Sequence, residues 1–489
     1  MAVVTGISPA NAPGFTFDGV HSSTFDVYLL RSPFPLLPET ADRHQEVPGR
    51  HGVWDYGFRF EGRKIELECF VIASSEADLR AKVRAIAAWL DPSKGERELV
   101  LDTESDKTYM ARVSGSIDVD MVARHGRFTI PFFASDPFAY GPERTLAING
   151  ETIVTAQGTA EAWPVITVNV QAPITYLLVA TPDKYVLLGR PEGVEETPVP
   201  KEQKVLVDGL DTTTGWIGAT QVDGGAVTGS LVSTGTHFEP SSYGSGSGWH
   251  GPALKKSVAG GPIQDFRVTV FVQLSNSKQS VGRAELYLLD VNNAIFGKIA
   301  LKDTHSGVKD MWGEARAGAL SGGYYFVQPT HGAKAGVWND FDGLIRIGRI
   351  GNRWHAYFAM VDKTTGKHHT RLYREWVDSM NQYMNPLAQV QLHAGAYSTH
   401  QPMTVRFWTV VVEKINPLGT AEVPYIADAG DIIEIDCERH AVYLNGEPRL
   451  DLLDPGSEFF SLQPGQPVAI GVAPEGAVSV QLSYRERWL

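Results

Sequence analysis

Residues 65–90, IELECFVIASSEADLRAKVRAIAAWL, contain a strand pattern followed directly by a helix pattern. Apolar residues at every second position predict a strand with one buried face over Ile65–Ile72. Apolar residues at three- and four-residue spacing follow and predict a helix. Ser74 and Ser75 offer N-caps before an acidic first turn, and Pro92 ends the pattern. This stretch therefore predicts one strand and the clearest helix of the chain.

The rest of the sequence is typical of a mainly β protein. Its 49 glycines and 29 prolines separate short runs rich in Val, Ile, Thr, Tyr and Phe, the pattern of several β-sandwiches. Alternation over Val478–Tyr484 predicts a last strand, and a second, shorter helix is predicted near Leu372–Met380. A length of 489 residues corresponds to about two to four domains.

Charge and cysteine content exclude several classes of protein. The net charge of -13 argues against specific nucleic-acid binding, which needs clustered Lys and Arg. Cys69 and Cys437 are the only cysteines, so a disulfide framework and a four-cysteine zinc site are excluded, and both thiols are expected to be structural. The first twenty residues lack a secretory signal pattern, and no apolar run is long enough for membrane insertion. We expect a protein made in a reducing cytoplasm.

Two linker-like stretches, residues 191–203 and 416–424, divide the chain. Residues 204–415 between them contain nine of the fourteen histidines and seven of the eleven tryptophans: Trp216, Trp249, Trp312, Trp338, Trp354, Trp376 and Trp408. Because sandwich termini are often close together and tolerate insertion, this segment is predicted to be a β-sandwich inserted into a host domain.

Motifs for catalysis are missing, so no catalytic residue is predicted. Residues 246–251 match G-x-G-x-x-G, but no apolar strand precedes them and no helix follows, which favours a surface loop. Glycosidase chemistry needs two facing carboxylates roughly 5–10 Å apart, whereas Asp265 and Glu285 look isolated in their strands. No cofactor is predicted. Asp340 and Asp342 could contribute to a calcium site, or they could belong to a turn before the next strand.

Aromatic residues beside glycines and polar residues are the main candidates for binding. Tryptophan and tyrosine rings have an apolar face and a polar edge, so exposed rings can stack on sugars while neighbouring polar groups bind hydroxyls. The alternative is that these residues cover the end of the sandwich. The candidate carbohydrate-binding residues are Trp249, His250, Trp312, Tyr324, Tyr325, Trp338 and Asp340.

The flanks resemble the distal tail protein (Dit) family of long-tailed, non-contractile bacteriophages. The N-terminal resemblance rests on an ordered set of motifs: Phe15–Gly19, Pro48–Gly52, the strand and helix of residues 65–90, Leu99–Asp102, Tyr109–Val113, Phe128–Phe133 and Asp136–Tyr140. The C-terminal motifs are Asn416–Thr420, Pro424–Ile426, Ile435–Glu438, Val442–Gly446, Leu462–Gly465 and Tyr484–Leu489.

This resemblance implies three domains. Residues 1–140 would be a ring-forming belt domain, a β-sandwich plus one helix. Residues 141–200 and 416–489 would form a galectin-like β-sandwich, split by a concanavalin-like or jelly-roll-like carbohydrate-binding module at 201–415. The belt would assemble into a homohexamer, with ring contacts at Pro48, Gly49, Arg50 and Gly52 and along the strand edges of residues 60–72 and 109–133.

The implied function is structural. The ring would join the tail tube protein to a tail-tip protein in the phage virion, and the inserted module would bind host cell-wall or capsular saccharide during adsorption. The negative charge would either discourage DNA from sticking to the conduit or simply aid solubility. Two alternatives stay open for the module. It could degrade a polysaccharide, using Asp340 or Asp342 with a further acid, or it could dock another tail-tip protein.

Overall fold

The computed structural model describes residues 13–33 and 35–489, and its architecture is mainly β. The first twelve residues, part of the stretch searched for a secretory signal, lie outside the described residues. The longest helix has 14 residues, and short 3₁₀ turns occur at Ser22–Phe25, Pro92–Lys94, Asp102–Glu104 and Leu450–Leu452. None of the helices in the described residues is long and apolar enough to cross a membrane.

The N-terminal domain is a twisted sheet with one helix packed on it. Its elements are β1 (Phe15–Phe17), β2 (Val20–His21), β3 (Val27–Arg31), β4 (Thr40–Glu46), β5 (Val53–Phe60), β6 (Arg63–Ile72), α1 (Glu76–Trp89), β7 (Arg97–Leu101), β8 (Tyr109–Val113), β9 (Asp120–Val122) and β10 (His125–Ala134). The sheet order is β2-β1-β7-β8-β10-β6-β3, with β9 beside β10.

The predicted strand and helix of residues 65–90 are confirmed. Strand β6 buries every second side chain, and α1 begins after Ser75, whose side chain accepts a hydrogen bond from the Asp78 amide. The helix packs on the opening strand, where Trp89 stacks on Phe15 and donates its indole N–H to the Phe17 carbonyl at 3.0 Å. Strand β6 pairs with β10 along its whole length and with β3 over Glu68–Val71, so only the first half of the edge predicted at residues 60–72 is left without a neighbouring strand on the β3 side.

The next residues form the first part of a second domain, which is discontinuous in sequence. The next elements are β11 (Ala139–Ile148), β12 (Glu151–Thr155), β13 (Val165–Val170), β14 (Tyr176–Ala180), β15 (Tyr185–Gly189) and β16 (Thr197–Val199). Strands β11 to β15 form no complete sandwich on their own, because their sheets also need strands from the C-terminal end of the chain. We call this discontinuous unit the host domain.

Residues 202–415, the inserted module, form two large sheets. Their strands are β17 (Glu202–Asp208), β18 (Ile217–Gly218), β19 (Gly225–Val227), β20 (Ser230–Ser233), β21 (Phe238–Ser242), β22 (Trp249–Gly251), β23 (Ala253–Ser257), β24 (Phe266–Ser275), β25 (Gly282–Leu289), β26 (Ile295–Asp303), β27 (Trp312–Ala317), β28 (Tyr324–Thr330), β29 (Asp342–Ile350), β30 (Arg353–Val361), β31 (His368–Val377), β32 (Gln389–Tyr397) and β33 (Thr404–Ile415).

The two module sheets pack face to face around one apolar core. The first module sheet has the order β20-β21-β33-β24-β29-β30-β31, with β17 beside β33. The second module sheet has the order β18-β23-β32-β25-β26-β27-β28, with β22 also beside β32 and β19 beside β22. The helix predicted near Leu372–Met380 is wrong, because β31 occupies this position. Leu372 and Trp376 are four residues apart, a spacing that also puts both side chains on one face of a strand.

The C-terminal segment completes the host domain. It contributes β34 (Glu422–Pro424), β35 (Ile432–Asp436), β36 (Ala441–Leu444), β37 (Glu447–Pro448), β38 (Pro467–Ala473) and β39 (Val478–Trp488). The host sheets have the orders β11-β39-β13-β35-β36-β37 and β12-β38-β14-β15. Cys69 in the N-terminal domain and Cys437 in the host domain are buried, and burial raises the pKa of each thiol to about 12.

The inserted module contacts the host domain through its linkers and through one hairpin tip. The linker strands β16 and β34 pair in parallel. Further along, the tip between β30 and β31 reaches the β36–β37 turn, where the His368 amide donates to the Gly446 carbonyl at 3.0 Å. Beside it, Arg346 forms a bidentate pair with Glu447 at 2.8 and 2.9 Å, and Lys367 pairs with Glu434 at 2.5 Å. Two separate contact regions therefore fix the module on the host domain.

Substituting Gly446 is expected to release this hairpin tip. Gly446 has φ +80°, and a Cβ on it would lie 1.9 Å from the Gly366 carbonyl oxygen. Overpacking of this kind costs about 1–3 kcal/mol, so Gly446→Ala should accelerate proteolysis of residues 191–203 and 416–424 by about tenfold. Gly465→Ala is the matched control, because Gly465 has φ +69° and open space at its Cβ. Equal cleavage of the two variants would contradict the docking role of the tip.

Candidate functional site

The outer face of the second module sheet carries charged side chains in three rows. Alternate residues of β25, such as Ala284 and Leu286, point into the core, so Arg283, Glu285 and Tyr287 point outward. Each row has one residue on each of β32, β25, β26 and β27, in that order. The rim row is Gly395, Arg283, Lys302 and Trp312. The middle row is His393, Glu285, Ala300 and Glu314, and the inner row is Gln391, Tyr287, Lys298 and Arg316.

The middle and inner rows form a buried ionic network around Glu285. Its carboxylate accepts hydrogen bonds from the Tyr287 hydroxyl at 2.5 Å and from the Lys298 ammonium at 3.2 Å, and it lies 2.7 Å from Nδ1 of His393. Burial alone would raise the pKa of Glu285, but Arg283 and Lys298 reverse this effect and hold the pKa well below its usual value. Glu285 is therefore the ionised centre of this network in the folded module.

Lys298 connects this carboxylate to two others. Its ammonium lies 2.7 Å from Glu314 and 3.4 Å from Asp223. Burial would lower the pKa of Lys298, but Glu285 and Glu314 raise it above its usual value. Each of the three carboxylates also has a cationic partner other than Lys298. For Asp223 this partner is Arg316, at 2.6 Å. The charges of these two rows are thus largely compensated within the network.

A segment of the module, residues 217–227, lies over the inner row, and we call it the strap. The Asp223 amide donates to the Tyr287 hydroxyl at 3.0 Å, and the Asp223 carbonyl accepts from Arg283 at 2.8 Å. Gln391 donates to the Gln221 carbonyl at 2.8 Å. The side chains of Glu285 and Glu314 are consequently only 1% and 4% exposed. Neither carboxylate is open to a substrate.

The rim row is the more accessible part of this face, because Lys302 and Trp312 are half-buried, although Arg283 itself is only 6% exposed. The half-buried ring of Trp249 lies over the Arg283 guanidinium, 4.7 Å from ring centroid to Cζ, and meets Tyr397 edge to face at 5.1 Å. At the other end, half-buried Trp312 packs against His331 with ring centroids 3.6 Å apart. Arg283 and Trp312 are on strands two intervals apart, which is about 10 Å.

The structure contradicts two of the predicted ligand-stacking residues. Trp338 is fully buried, stacks on Phe358 and donates its indole N–H to the Thr370 carbonyl at 2.9 Å. His250 is 3% exposed, with Nδ1 2.9 Å from the Gly248 carbonyl oxygen. Both rings complete the module's own packing, so the prediction that they face a ligand is wrong.

The two adjacent tyrosines point in different directions. Tyr325 is half-buried beside the inner row, where its hydroxyl lies 3.3 Å from Arg316. Tyr324 is exposed and stacks on Trp376 at 4.4 Å, where β28 and β31, the edge strands of the two sheets, meet. Trp249, Trp312 and Tyr325 therefore border the same charged face, whereas Tyr324 belongs to a separate aromatic edge.

The carboxylates considered for calcium each have a lysine partner. Asp340 accepts from Ser275 Oγ at 3.1 Å and pairs with Lys309. Asp342 pairs with Lys363 at 2.5 Å. Across residues 13–33 and 35–489, no group of three His, Cys, Asp or Glu side chains is placed to bind a metal ion. Calcium binding at Asp340 and Asp342 stays a prediction.

The candidate ring residues lie at the tip of an exposed hairpin. Pro48, Gly49, Arg50 and Gly52 connect β4 to β5 and are exposed, and the Arg50 guanidinium lies 4.2 Å from the Trp54 ring centroid. Strand β5 carries three exposed aromatic side chains, Trp54, Tyr56 and Phe58, which are 52%, 64% and 60% exposed. A bulge at Gly57, where the pairing with β4 shifts between Asp42 and His44, breaks the alternation, so Trp54 and Tyr56 share one face and Phe58 lies on the other. This hairpin forms a two-stranded sheet of its own.

Sequence reasoning missed the ionic network. Glu285, which looks isolated in the sequence, has partners on two neighbouring strands. A usable signal was present, because charged residues stand two or four positions apart in otherwise apolar strands, which puts them on one face: Arg283 and Glu285, Lys298 and Lys302, and Glu314 and Arg316. What the sequence did not show is the register that brings these pairs together.

Both ends of the chain match families of phage tail domains. Residues 23–134 match the phage tail protein RIFT-related domain, and residues 394–488 match the siphovirus-type tail component, C-terminal domain. Together they define a tail component of a long-tailed phage. Both flanks thus carry domains of siphophage tail proteins, the C-terminal one of the distal tail protein (Dit) type, and the location of the chain is the tail of the virion. No curated protein matches the chain.

Comparison with solved structures gives matches at low sequence identity and with TM-scores below 0.5. The Dit protein of phage SPP1 is 10% identical, with 98% of this chain and 100% of that chain covered and a TM-score of 0.40. The CBM2 module of the evolved Dit of Lactobacillus casei BL23 phage J-1 is 16% identical, with 45% and 100% covered and a TM-score of 0.37. A legume lectin-like domain from Entamoeba histolytica is 11% identical, with 39% and 89% covered and a TM-score of 0.27.

Proposed function

We propose that this distal tail protein forms a ring between tail tube and tail tip, and that its inserted module binds host cell-wall or capsular saccharide at the rim row. The observation that carries the saccharide site is the placement of two tryptophans at opposite ends of the rim row: the Trp249 ring lies over Arg283, Trp312 is at the other end, and Lys302 is on the strand between them. This arrangement combines two aromatic surfaces with polar donors on a rigid sheet.

Each part of the rim row has a use in binding a sugar chain. Tryptophan rings offer a large apolar face at little conformational cost, which suits the C–H face of a pyranose. The Lys302 side chain is 23% exposed, so its ammonium can donate to hydroxyl or acidic groups of the ligand. The network beneath fixes these side chains in place, and a preorganised site loses less entropy on binding.

Replacing either rim tryptophan is expected to weaken saccharide binding. Trp249→Ala and Trp312→Ala in the full chain should each reduce affinity for purified host cell-wall polysaccharide about tenfold or more, since a stacked aromatic contributes at least about 1.4 kcal/mol. Binding can be measured by calorimetry or by co-sedimentation with wall fragments. Trp408→Ala is the matched control, because Trp408 is a half-buried tryptophan of the first module sheet, with its ring centroid 4.5 Å from that of His237.

Two other results would replace the saccharide proposal. Release of reducing sugar from the polysaccharide would assign an enzyme to the module. Our proposal excludes this, because Glu285 and Glu314 are sealed and Asp340 and Asp342 are paired with lysines. Alternatively, the protein could bind no wall fraction and capture a purified tail-tip protein independently of sugar. That outcome would assign the module to protein docking.

The ring interface is proposed at the β4–β5 hairpin. An isolated two-stranded sheet is only marginally stable in water, and contiguous exposed apolar side chains indicate an interaction site. Trp54 and Tyr56 on one face of β5, together with the tip residues Pro48–Gly52, would pack on the next subunit. The assembled ring would then present one module per subunit to the host surface.

A further inference from the structure

A second cleft, outside the inserted module, lies on the host domain. It has a volume of about 190 Å³ and is bordered by six residues that matter for its chemistry: Tyr140, Glu143, Trp163, Glu438, Ser483 and Arg485. They come from β11, β39 and the segments next to β13 and β35. We propose that this cleft binds a single sugar ring, independently of the site on the inserted module.

Trp163 supplies the aromatic wall of the cleft. Its ring lies 6.1 Å from that of His440, which in turn stacks parallel on Phe459 at 5.0 Å with an interplanar angle of 3°. The row of three rings runs along the surface and ends at the cleft. Trp163 is half-buried, packs against the host-domain core and lines the cleft, so the part of its ring that borders the cleft can stack on the C–H face of a pyranose.

Arg485 supplies hydrogen-bond donors. Its Nε donates to the Gly141 carbonyl at 2.8 Å, and its guanidinium packs over the Tyr140 ring, 5.3 Å from the centroid. Within the described residues this is the only hydrogen bond of the side chain. The terminal amino groups therefore keep unused donors in a planar, fixed geometry, and an arginine held in this way is preorganised for hydrogen bonds to ligand oxygens.

Two carboxylates supply acceptors. Glu143 lies directly across the ladder from Arg485, and Glu438 follows the end of β35. Both are exposed, and neither has an ion-pair partner among residues 13–33 and 35–489. The two carboxylates can accept hydrogen bonds from sugar hydroxyls, and the neighbouring guanidinium can donate hydrogen bonds to them. This combination suits a sugar, because each hydroxyl both donates and accepts.

Size and charge favour a neutral sugar ring over a peptide side chain. Pockets for drug-sized ligands measure about 300–1,000 Å³, so a cleft of about 190 Å³ suits one ring. A lysine or arginine of another protein would be attracted to Glu143 and Glu438 but would also meet the Arg485 guanidinium as a like charge. A hydroxylated neutral ring can use all three groups together.

The test uses the full chain with Trp249→Ala and Trp312→Ala, which disables the rim row. Saturation-transfer NMR with a panel of free hexoses and N-acetylhexosamines should detect at least one bound sugar. Adding Trp163→Ala, or separately Glu438→Gln, should weaken that binding about tenfold, and adding Trp408→Ala should leave it unchanged. Glu438 is exposed, so its variant reports on binding without endangering the fold.

Three results would overturn the proposal: no sugar of the panel bound by the rim-disabled protein, binding unaffected by Trp163→Ala and Glu438→Gln, or displacement of the sugar by free lysine amide at equal concentration. Failure here is distinguishable from failure of the module site. The rim tryptophans affect polysaccharide binding by the otherwise unaltered chain, whereas the cleft is tested only after they have been removed.

Discussion

Lys298→Met is expected to lower the free energy of unfolding of the inserted module by about 3–5 kcal/mol, the usual cost of removing one partner from a buried ionic network. Lys298 contacts Asp223, Glu285 and Glu314, and methionine has a similar volume but no charge. The measurement is denaturant unfolding of the full chain followed by tryptophan fluorescence. Seven of the eleven tryptophans are in the module, so this signal reports mainly on its unfolding.

Lys363→Met is the control for this experiment. Its ammonium pairs with Asp342 at 2.5 Å, but its side chain is 67% exposed, and exposed pairs contribute about 0–1 kcal/mol. The two variants remove the same chemical group from environments that differ mainly in burial. Coincident unfolding curves for both would mean that the network contributes nothing to stability, and the view of Glu285 as a structural centre would then be wrong.

The same network predicts how stability depends on pH. The pKa values of Glu285 and Glu314 are lowered in the folded state, so the unfolded chain binds more protons at acid pH, and the stabilisation is lost as pH falls below about 4.5.

His393 acts in the same direction at higher pH. Burial lowers the pKa of its imidazole, so protonation of the unfolded chain reduces stability below about pH 6.5. Lys298→Met should flatten the acid limb.

Local sequence patterns predicted the elements whose signals are contained in consecutive residues. In residues 65–90, the strand periodicity, the helix periodicity and the helix N-cap all lie in one continuous stretch. The structure has the strand and the helix where they were predicted. The same kind of reasoning failed at Leu372–Met380, because apolar residues four apart satisfy both a helix and one face of a strand. Cross-strand pairing with β30 decided between them.

Burial of single aromatics was harder to predict than the class of fold. Trp338 is beside Asn339 and Asp340 in the sequence, which suggests a loop, yet its ring completes the core. Trp249 is in an equally polar, glycine-rich stretch but lies half-buried over Arg283. The two tryptophans differ in burial because the loops that carry them follow different paths over the sheets. No local sequence pattern encodes these paths.

The ionic network also shows why an enzyme was difficult to judge from sequence. Glu285 and Glu314 lie on strands separated only by β26, an arrangement that could place two carboxylates across a sugar. The strap and Lys298 make the two carboxylates structural instead. Asp223 of the strap covers the inner row, and the Lys298 ammonium bridges Glu285 and Glu314. A pair of acids acts on a substrate only where the substrate can reach it, and here the accessible groups are those of the rim row.

Removing the aromatic face of the β4–β5 hairpin is expected to abolish ring formation. The double variant Trp54→Ala, Tyr56→Ala deletes two large exposed rings from one face of β5. Interface aromatics of this type contribute about 2 kcal/mol or more each, and the loss applies to every contact around a closed ring. Light scattering coupled to size-exclusion chromatography should show the wild-type chain as a ring and the variant as a monomer.

Tyr373→Ala provides the matched control, because Tyr373 is a 52% exposed aromatic on β31 of the inserted module, far along the chain from the hairpin. It should leave the assembly intact. The hairpin variant should also keep the unfolding curve of the wild-type monomer, since Trp54 and Tyr56 lie outside the core of the N-terminal domain. A hairpin variant that still forms the full ring would show that subunits meet elsewhere, and the exposed aromatics would then belong to a contact with a different tail protein.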